Sequence, residues 1–133
     1  MRDQIERIYQ AINSQDLDAL DGLFSDDYLD HAEGHRGVEP FKQQMRMFRA
    51  AFPDLSISID DTVEAGDRIA TRTTVTGTHT GDLMGIPPTQ RPVVVSAVDI
   101  ARFVDGKAVE RWGGLDTFSL MVQLGVIPVP QPA

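Results

Sequence analysis

The stretch that decides the fold is Leu55-Ser56-Ile57-Ser58-Ile59-Asp60, because the spacing of apolar residues changes there. From Leu55 apolar and polar residues alternate, the pattern of a strand with one buried face. Upstream the period is helical. Ile5, Ile8, Tyr9 and Ile12 form one stripe behind Asp3, with Glu6 placed for a capping box. Asp16 opens a short second helix with Leu17, Leu20 and Phe24 on one side. After a loop ending at Gly37, Pro40 suits the first turn of a third helix carrying Met45, Phe48 and Phe52, and Pro53 ends it.

Downstream, Glu64-Ala65-Gly66-Asp67 reads as a hairpin turn into a second strand over residues 68–80. Residues 81–90, with Gly85 and Pro87-Pro88, form a loop that neither a helix nor a central strand accommodates. Strands follow over 91–104 and 107–115, joined by Asp105-Gly106, a strong hairpin signal. Residues 116–124 regain helical spacing, Gly125 stops them, and 126–133, with three prolines, is a tail. Helices followed by hairpin-linked strands predict one α+β domain over 1–133. Its antiparallel sheet must twist and curve around the N-terminal helices, giving a cone with an interior expected to be a pocket.

Composition narrows the function. The 133 residues carry a net charge of −8, the wrong sign for nucleic acid or an anionic membrane. Without cysteine there is no disulfide framework, thiolate metal site or cysteine nucleophile. No apolar run approaches the roughly 18 residues of a membrane span and the start has no apolar leader, so the expected compartment is the cytoplasm. Phosphate loops, dinucleotide glycine patterns and serine nucleophile elbows are absent.

Eight short motifs carry more than periodicity: Tyr28-Leu29-Asp30-His31, Phe52-Pro53-Asp54-Leu55, Gly66-Asp67, Gly77-Thr78-His79-Thr80-Gly81, Gly85-Ile86-Pro87-Pro88-Thr89, Asp105-Gly106-Lys107, Glu110-Arg111-Trp112 and Gln123-Leu124-Gly125. In this order and spacing the chain resembles the SnoaL-like polyketide cyclases, also called the ester cyclase family. The resemblance implies the nuclear transport factor 2-like cone, shared with ketosteroid isomerase and limonene epoxide hydrolase, in a homo-oligomer, dimer or tetramer. For relatives in polyketide pathways it also implies intramolecular aldol ring closure, and it places the acid/base aspartate at Asp116.

An aldol closure needs a proton taken from a carbon beside a carbonyl and one given to the oxygen that is attacked. In a polycarbonyl compound that carbon is already acidic, so one positioned carboxylate suffices and no metal or organic cofactor is required. Asp116, just before the last helix, is the candidate, although an aspartate there is equally suited to cap the helix. Its companion depends on the hairpin at Asp105-Gly106. A two-residue turn sets Asp99 on the face of Trp112 and Asp116, whereas a three-residue turn with a bulge substitutes Arg102. The bulged turn is preferred, because Val94, Val98 and Ile100 then line the pocket with Arg102 near its end. His79, on the inward parity of Ile69, Thr71 and Thr73, and His31, at the cone mouth, complete the catalytic candidates. Trp112, Asp99, Phe48, Phe52 and Met84 are the expected substrate contacts, Met84 at the mouth. His31 and His35, separated by a loop glycine, do not make a metal site. The expected partner is a small apolar or polycarbonyl molecule. The alternatives are a non-catalytic pocket protein, or an epoxide hydrolase or isomerase of the same fold, with Asp99, Arg102 and Asp116 as the hydrolase candidates.

Overall fold

The computed structural model describes residues 1–128; the end of the expected tail, 129–133, lies outside the described residues. Helix α1 (Arg2–Asn13) buries Ile5, Ile8, Ala11 and Ile12, the stripe expected from spacing. The expected second helix shrinks to a single 3-10 turn, Leu17–Leu20, and Phe24 opens strand β1 (Phe24–Asp30) instead. Gly22 follows directly, and so short a segment cannot recover the cost of nucleating an α-helix. Strand β2 (His35–Arg36) leads into α2 (Glu39–Ala51), with Pro40 in its first turn and Phe52 just past its end. The long strands are β3 (Ser56–Ala65), β4 (Arg68–Thr78), β5 (Pro92–Val104) and β6 (Lys107–Leu115), followed by α3 (Thr117–Gln123).

The six strands form one sheet in the order β2-β1-β6-β5-β4-β3. All neighbours are antiparallel except β1 and β6, which run parallel. A parallel neighbour needs a long connection, and here the rest of the sheet supplies it. The fold is thus the α+β cone, with one parallel pair inside an otherwise antiparallel sheet.

Two apolar clusters hold the cone. The first joins Ile5, Ile8, Ile12, Leu20 and Tyr28 to Ile69 and Phe103 of the sheet. The second joins Phe52, Leu83, Val93, Val95, Leu120 and Leu124. Each fully buried large side chain contributes about 1.5–3 kcal/mol, so both clusters act as structural walls. Lys42 ties α2 to the turn before β1: it is 2% exposed and pairs with Asp21, with Glu39 at 3.3 Å and with Asp18 at 3.8 Å.

The β5–β6 hairpin sets which side chains enter the cone. Its turn has two residues, not the bulged three expected, with Asp105 at φ +51° and Gly106 at φ +78°. Both central residues in the left-handed region make the primed turn that matches strand twist. Val104 therefore faces Lys107, and Phe103 faces Ala108. The register then shifts, so Arg102 faces Glu110 and Val109 is an extra residue. Beyond that bulge Ala101 pairs with Arg111, Ile100 with Trp112 and Asp99 with Gly113. Odd-numbered residues of β5 are buried, apart from the half-buried Ala97, and even-numbered ones point outward. Val94, Val98 and Ile100 are consequently 63%, 53% and 40% exposed, a correction to the expectation that they line the pocket.

Candidate functional site

Between the two clusters lies a chamber of about 890 Å³, within the range that holds a drug-sized molecule. Its walls are apolar, from Ile12 of α1, Met45 and Phe48 of α2, Ile57 and Val75 of the sheet, and Leu120 of α3. Two carboxylates line it, the exposed Glu33 and the buried Asp99. Asp99, on the inward parity of β5, is 7% exposed and lines the cavity. Its Oδ2 accepts from Tyr9 Oη at 3.2 Å and from Arg111 Nε at 3.2 Å. Its Oδ1 accepts no hydrogen bond among the described residues. Arg111 also donates from Nη1 to Asp30 Oδ2 at 3.0 Å, and Asp30 Oδ1 accepts the Ala32 N–H at 3.0 Å. The result is a chain, Asp30–Arg111–Asp99–Tyr9, spanning β1, β6, β5 and α1.

Burial pushes the Asp99 carboxyl above the usual aspartate range, against the pull of Arg111 and of its hydrogen bonds. Burial alone would lower the Arg111 guanidinium, but Asp99 and Asp30 more than offset it, so the arginine stays charged. Tyr9 and Tyr28 are both pushed upward, by burial first and then by Asp99 and Asp30 respectively, and keep their protons. Two buried hydroxyls in this region, Tyr28 Oη and Thr71 Oγ1, have no hydrogen-bond partner among the described residues. Tyr28 lines the chamber, and Thr71 pairs with Asp99 across the β4–β5 ladder.

The other expected residues are distributed differently. Asp116 is exposed and caps α3, accepting the Ser119 N–H at 3.0 Å; it does not line the chamber. Arg102 points outward and donates from Nε and Nη2 to Glu110 Oε1 at 2.8 and 2.7 Å. His31 joins the same outer cluster, with Nε2 2.8 Å from Glu110 Oε2 and its ring stacked on Trp112 at 4.9 Å. Trp112 carries the Arg68 guanidinium 4.9 Å from its ring centroid, so it too belongs to the outer face. The Val109 bulge turned Trp112 out when it turned Arg111 in.

His79 is fully buried, and Thr89 N–H donates to its Nδ1 at 3.2 Å. Its Nδ1 also lies 3.0 Å from Thr89 Oγ1, and its Nε2 has no partner among the described residues. The His79 main chain also exchanges bonds with Gln90 and Arg91, closing the neck of the 81–90 loop. Inward parity is correct for His79, but it holds a loop and does not line the cavity. At that loop's tip Met84 is 64% exposed and lines the chamber mouth. Phe48 lines the wall, whereas Phe52 packs in the second cluster with its ring 5.4 Å from His79. Sequence reasoning missed Arg111, Asp30 and Tyr28. Each sits inside a motif already singled out, but its inward direction depends on pairing between distant strands. Among the described residues, no group of three or more His, Asp or Glu is arranged to hold a metal, and no helix is long and apolar enough to cross a membrane.

Comparison with known proteins agrees with this architecture. The family model described as SnoaL-like polyketide cyclase matches residues 3–124. Nogalonic acid methyl ester cyclase of Streptomyces nogalater is 31% identical over 120 residues, covering 86% of this chain and 90% of its own. Among solved structures, AclR of Streptomyces galilaeus, a suggested hydroxylase, superposes with a TM-score of 0.86 at 34% identity, covering 98% of this chain and 84% of that one. IdmH of Streptomyces antibioticus, a suggested polyketide cyclase, does so with a TM-score of 0.81 at 35% identity, covering 93% of this chain and 97% of that one. With a match over almost its whole length and a cyclase relative covering most of both chains, the chain belongs to the SnoaL-like polyketide cyclase family.

Proposed function

We propose that the protein closes a ring in a polyketide-like small molecule by an intramolecular aldol reaction, with Asp99 in the acid/base role first expected of Asp116. The observation that carries this is the Asp99 carboxylate, anchored through Oδ2 with Oδ1 unpartnered among the described residues, as the buried acid of a chamber with largely apolar walls. Oδ1 takes the proton from the carbon between two carbonyls. The resulting enolate carbon bonds to the carbonyl carbon folded against it, and that carbonyl oxygen becomes an alkoxide. Asp99 returns its proton to this oxygen. Atoms balance and the carboxylate is regenerated, so the step calls for no cofactor. The apolar walls hold the folded chain in a reactive shape. The cyclase relative named for a methyl ester substrate supports a substrate of this kind.

Epoxide hydrolysis, with Asp99, Arg102 and Asp116 as its candidates, is supported poorly, because Arg102 pairs with Glu110 on the outer face and Asp116 caps α3, both away from the lining. The exposed stripe of Val94, Val98 and Ile100 supports a homo-oligomer with a second copy on this face. The cytoplasm is the proposed compartment.

The test is incubation with an aromatic polyketide methyl ester, followed by mass spectrometry. The expected product is a cyclised isomer of unchanged mass, or its dehydrated form; added oxygen indicates a hydroxylase instead. Asp99→Asn is expected to lose turnover about 100-fold or more. Asp116→Asn should retain turnover. Full turnover in Asp99→Asn refutes the assignment, and ligand binding without turnover in the wild type identifies a non-catalytic pocket protein.

A further inference from the structure

Asp30 is 3% exposed, does not line the chamber, and has no part in the reaction as written. Its two oxygens are fully committed, Oδ1 to the Ala32 N–H and Oδ2 to Arg111 Nη1, each at 3.0 Å. Arg111 is thereby shared between two acids, with Asp99 held by Nε at 3.2 Å. The charged and titratable groups facing Asp99 are Tyr9 from α1, Tyr28 and Asp30 from β1, and Arg111 from β6. Both tyrosines are neutral, so the balance rests on the arginine and the two acids. With Asp99 protonated, the buried trio carries no net charge; with Asp99 ionised, it carries one negative charge. If Asp30 were neutral, the ionised form of Asp99 would be the one without net charge. A buried cluster favours its neutral state, so the charge on Asp30 decides which protonation state of Asp99 is favoured.

We propose that Asp30 is a positioning residue for the chamber carboxylate: by occupying one side of Arg111 it denies Asp99 a full counter-ion and keeps it able to take up and release a proton. This rests on the assignment of Asp99 as the acid/base, but it is measured separately. An ordinary surface salt bridge between Asp30 and Arg111 would affect stability alone. The arrangement described here ties the state of an acid inside the cavity to one outside it.

The test is a carbon-13 NMR titration of the aspartate carboxyls in the full chain, with the Asp99 signal identified by its loss in Asp99→Asn. In Asp30→Asn the Asp99 midpoint is expected to fall by about one pH unit or more. The acid limb of the turnover profile should move down with it while KM stays constant, a change that a merely structural contact would not produce. In Arg111→Gln the midpoint should move the opposite way, upward. An unchanged or rising midpoint in Asp30→Asn overturns the inference. If that variant does not fold, a fall or no change in Arg111→Gln overturns it instead. Should Asp99→Asn retain turnover, the acid/base assignment fails, yet the titration still decides whether Asp30 governs Asp99.

Discussion

Replacing Gly113 with alanine tests the hairpin register and the site together. Gly113 lines the chamber and faces Asp99 across the β5–β6 ladder. Its φ of +97° is one that side-chain-bearing residues rarely adopt, at a cost of about 1–3 kcal/mol. A Cβ there would lie 2.4 Å from the Val98 carbonyl oxygen and 2.9 Å from Asp99 Cα. Both are backbone atoms of a hydrogen-bonded strand and cannot rotate away. Ordinary contact begins near 3.4 Å, so β5 must retreat by about 1 Å at the Val98 carbonyl and about 0.5 Å at Asp99, an overpacking cost of about 1–3 kcal/mol. The sum is about 2–6 kcal/mol, which for a chain of this size lowers Tm by roughly 6 °C or more. The same displacement pulls Asp99 away from Tyr9 and Arg111, both at 3.2 Å, and should cost about 100-fold in turnover. Gly22→Ala is the control, since nothing lies within 4 Å of its Cβ position, and its Tm should stay within about 2 °C of wild type. Thermal unfolding by circular dichroism and a turnover assay read both outcomes. If Gly113→Ala melted and turned over like the wild type, the register beyond Val109 and the placement of Asp99 would both be wrong.

Met84 occupies the first position of a two-residue turn at φ +47°, closed by paired bonds between Leu83 and Ile86. Met84→Gly should relieve about 1 kcal/mol of strain and raise Tm by a few degrees, while the uncovered mouth raises KM; a lower Tm contradicts the strain argument. Asp99→Asn should be more stable than wild type in urea unfolding at neutral pH. The folded Asp99 pKa lies above its unfolded value, so its ionised form costs stability at neutral pH, and that cost fades as pH falls through the folded value towards about 4. The advantage of the variant must therefore shrink on acidification; an advantage that grows contradicts the burial argument. Ile100→Glu, on the outward face of β5, should convert a homo-oligomer to monomers in light scattering, and a monomeric wild type ends that expectation.

Much of this molecule was legible one segment at a time. The stripe of Ile5, Ile8 and Ile12, the Pro40 start of α2, the alternation at Leu55 and the turn at Asp105-Gly106 each carry local information, because helical and strand periods are written in neighbouring residues. Asp116 was legible as a helix cap for the same reason. Strand β1 was legible only at its end, where Leu29 and His31 alternate on a short strand; its start at Phe24 read as helix, because that part has no clean alternation and is extended by its pairing with β6.

Which residues meet inside the cone is a different kind of information. The amino-acid order alone permits either parity across the last hairpin and says nothing about an extra residue at Val109. That bulge arises where β6 must satisfy β5 on one side and β1 on the other, and both ladders shift register there. One residue of slip reverses every side chain beyond it, so tertiary pairing put Arg111 and Gly113 beside Asp99 and sent Trp112 to the outer face. The sequence by itself determined the cone and the apolar stripes of its helices; three-strand pairing decided which strand residues wall the chamber and which acid is buried in it, because burial and partner, not residue type, make a carboxylate reactive.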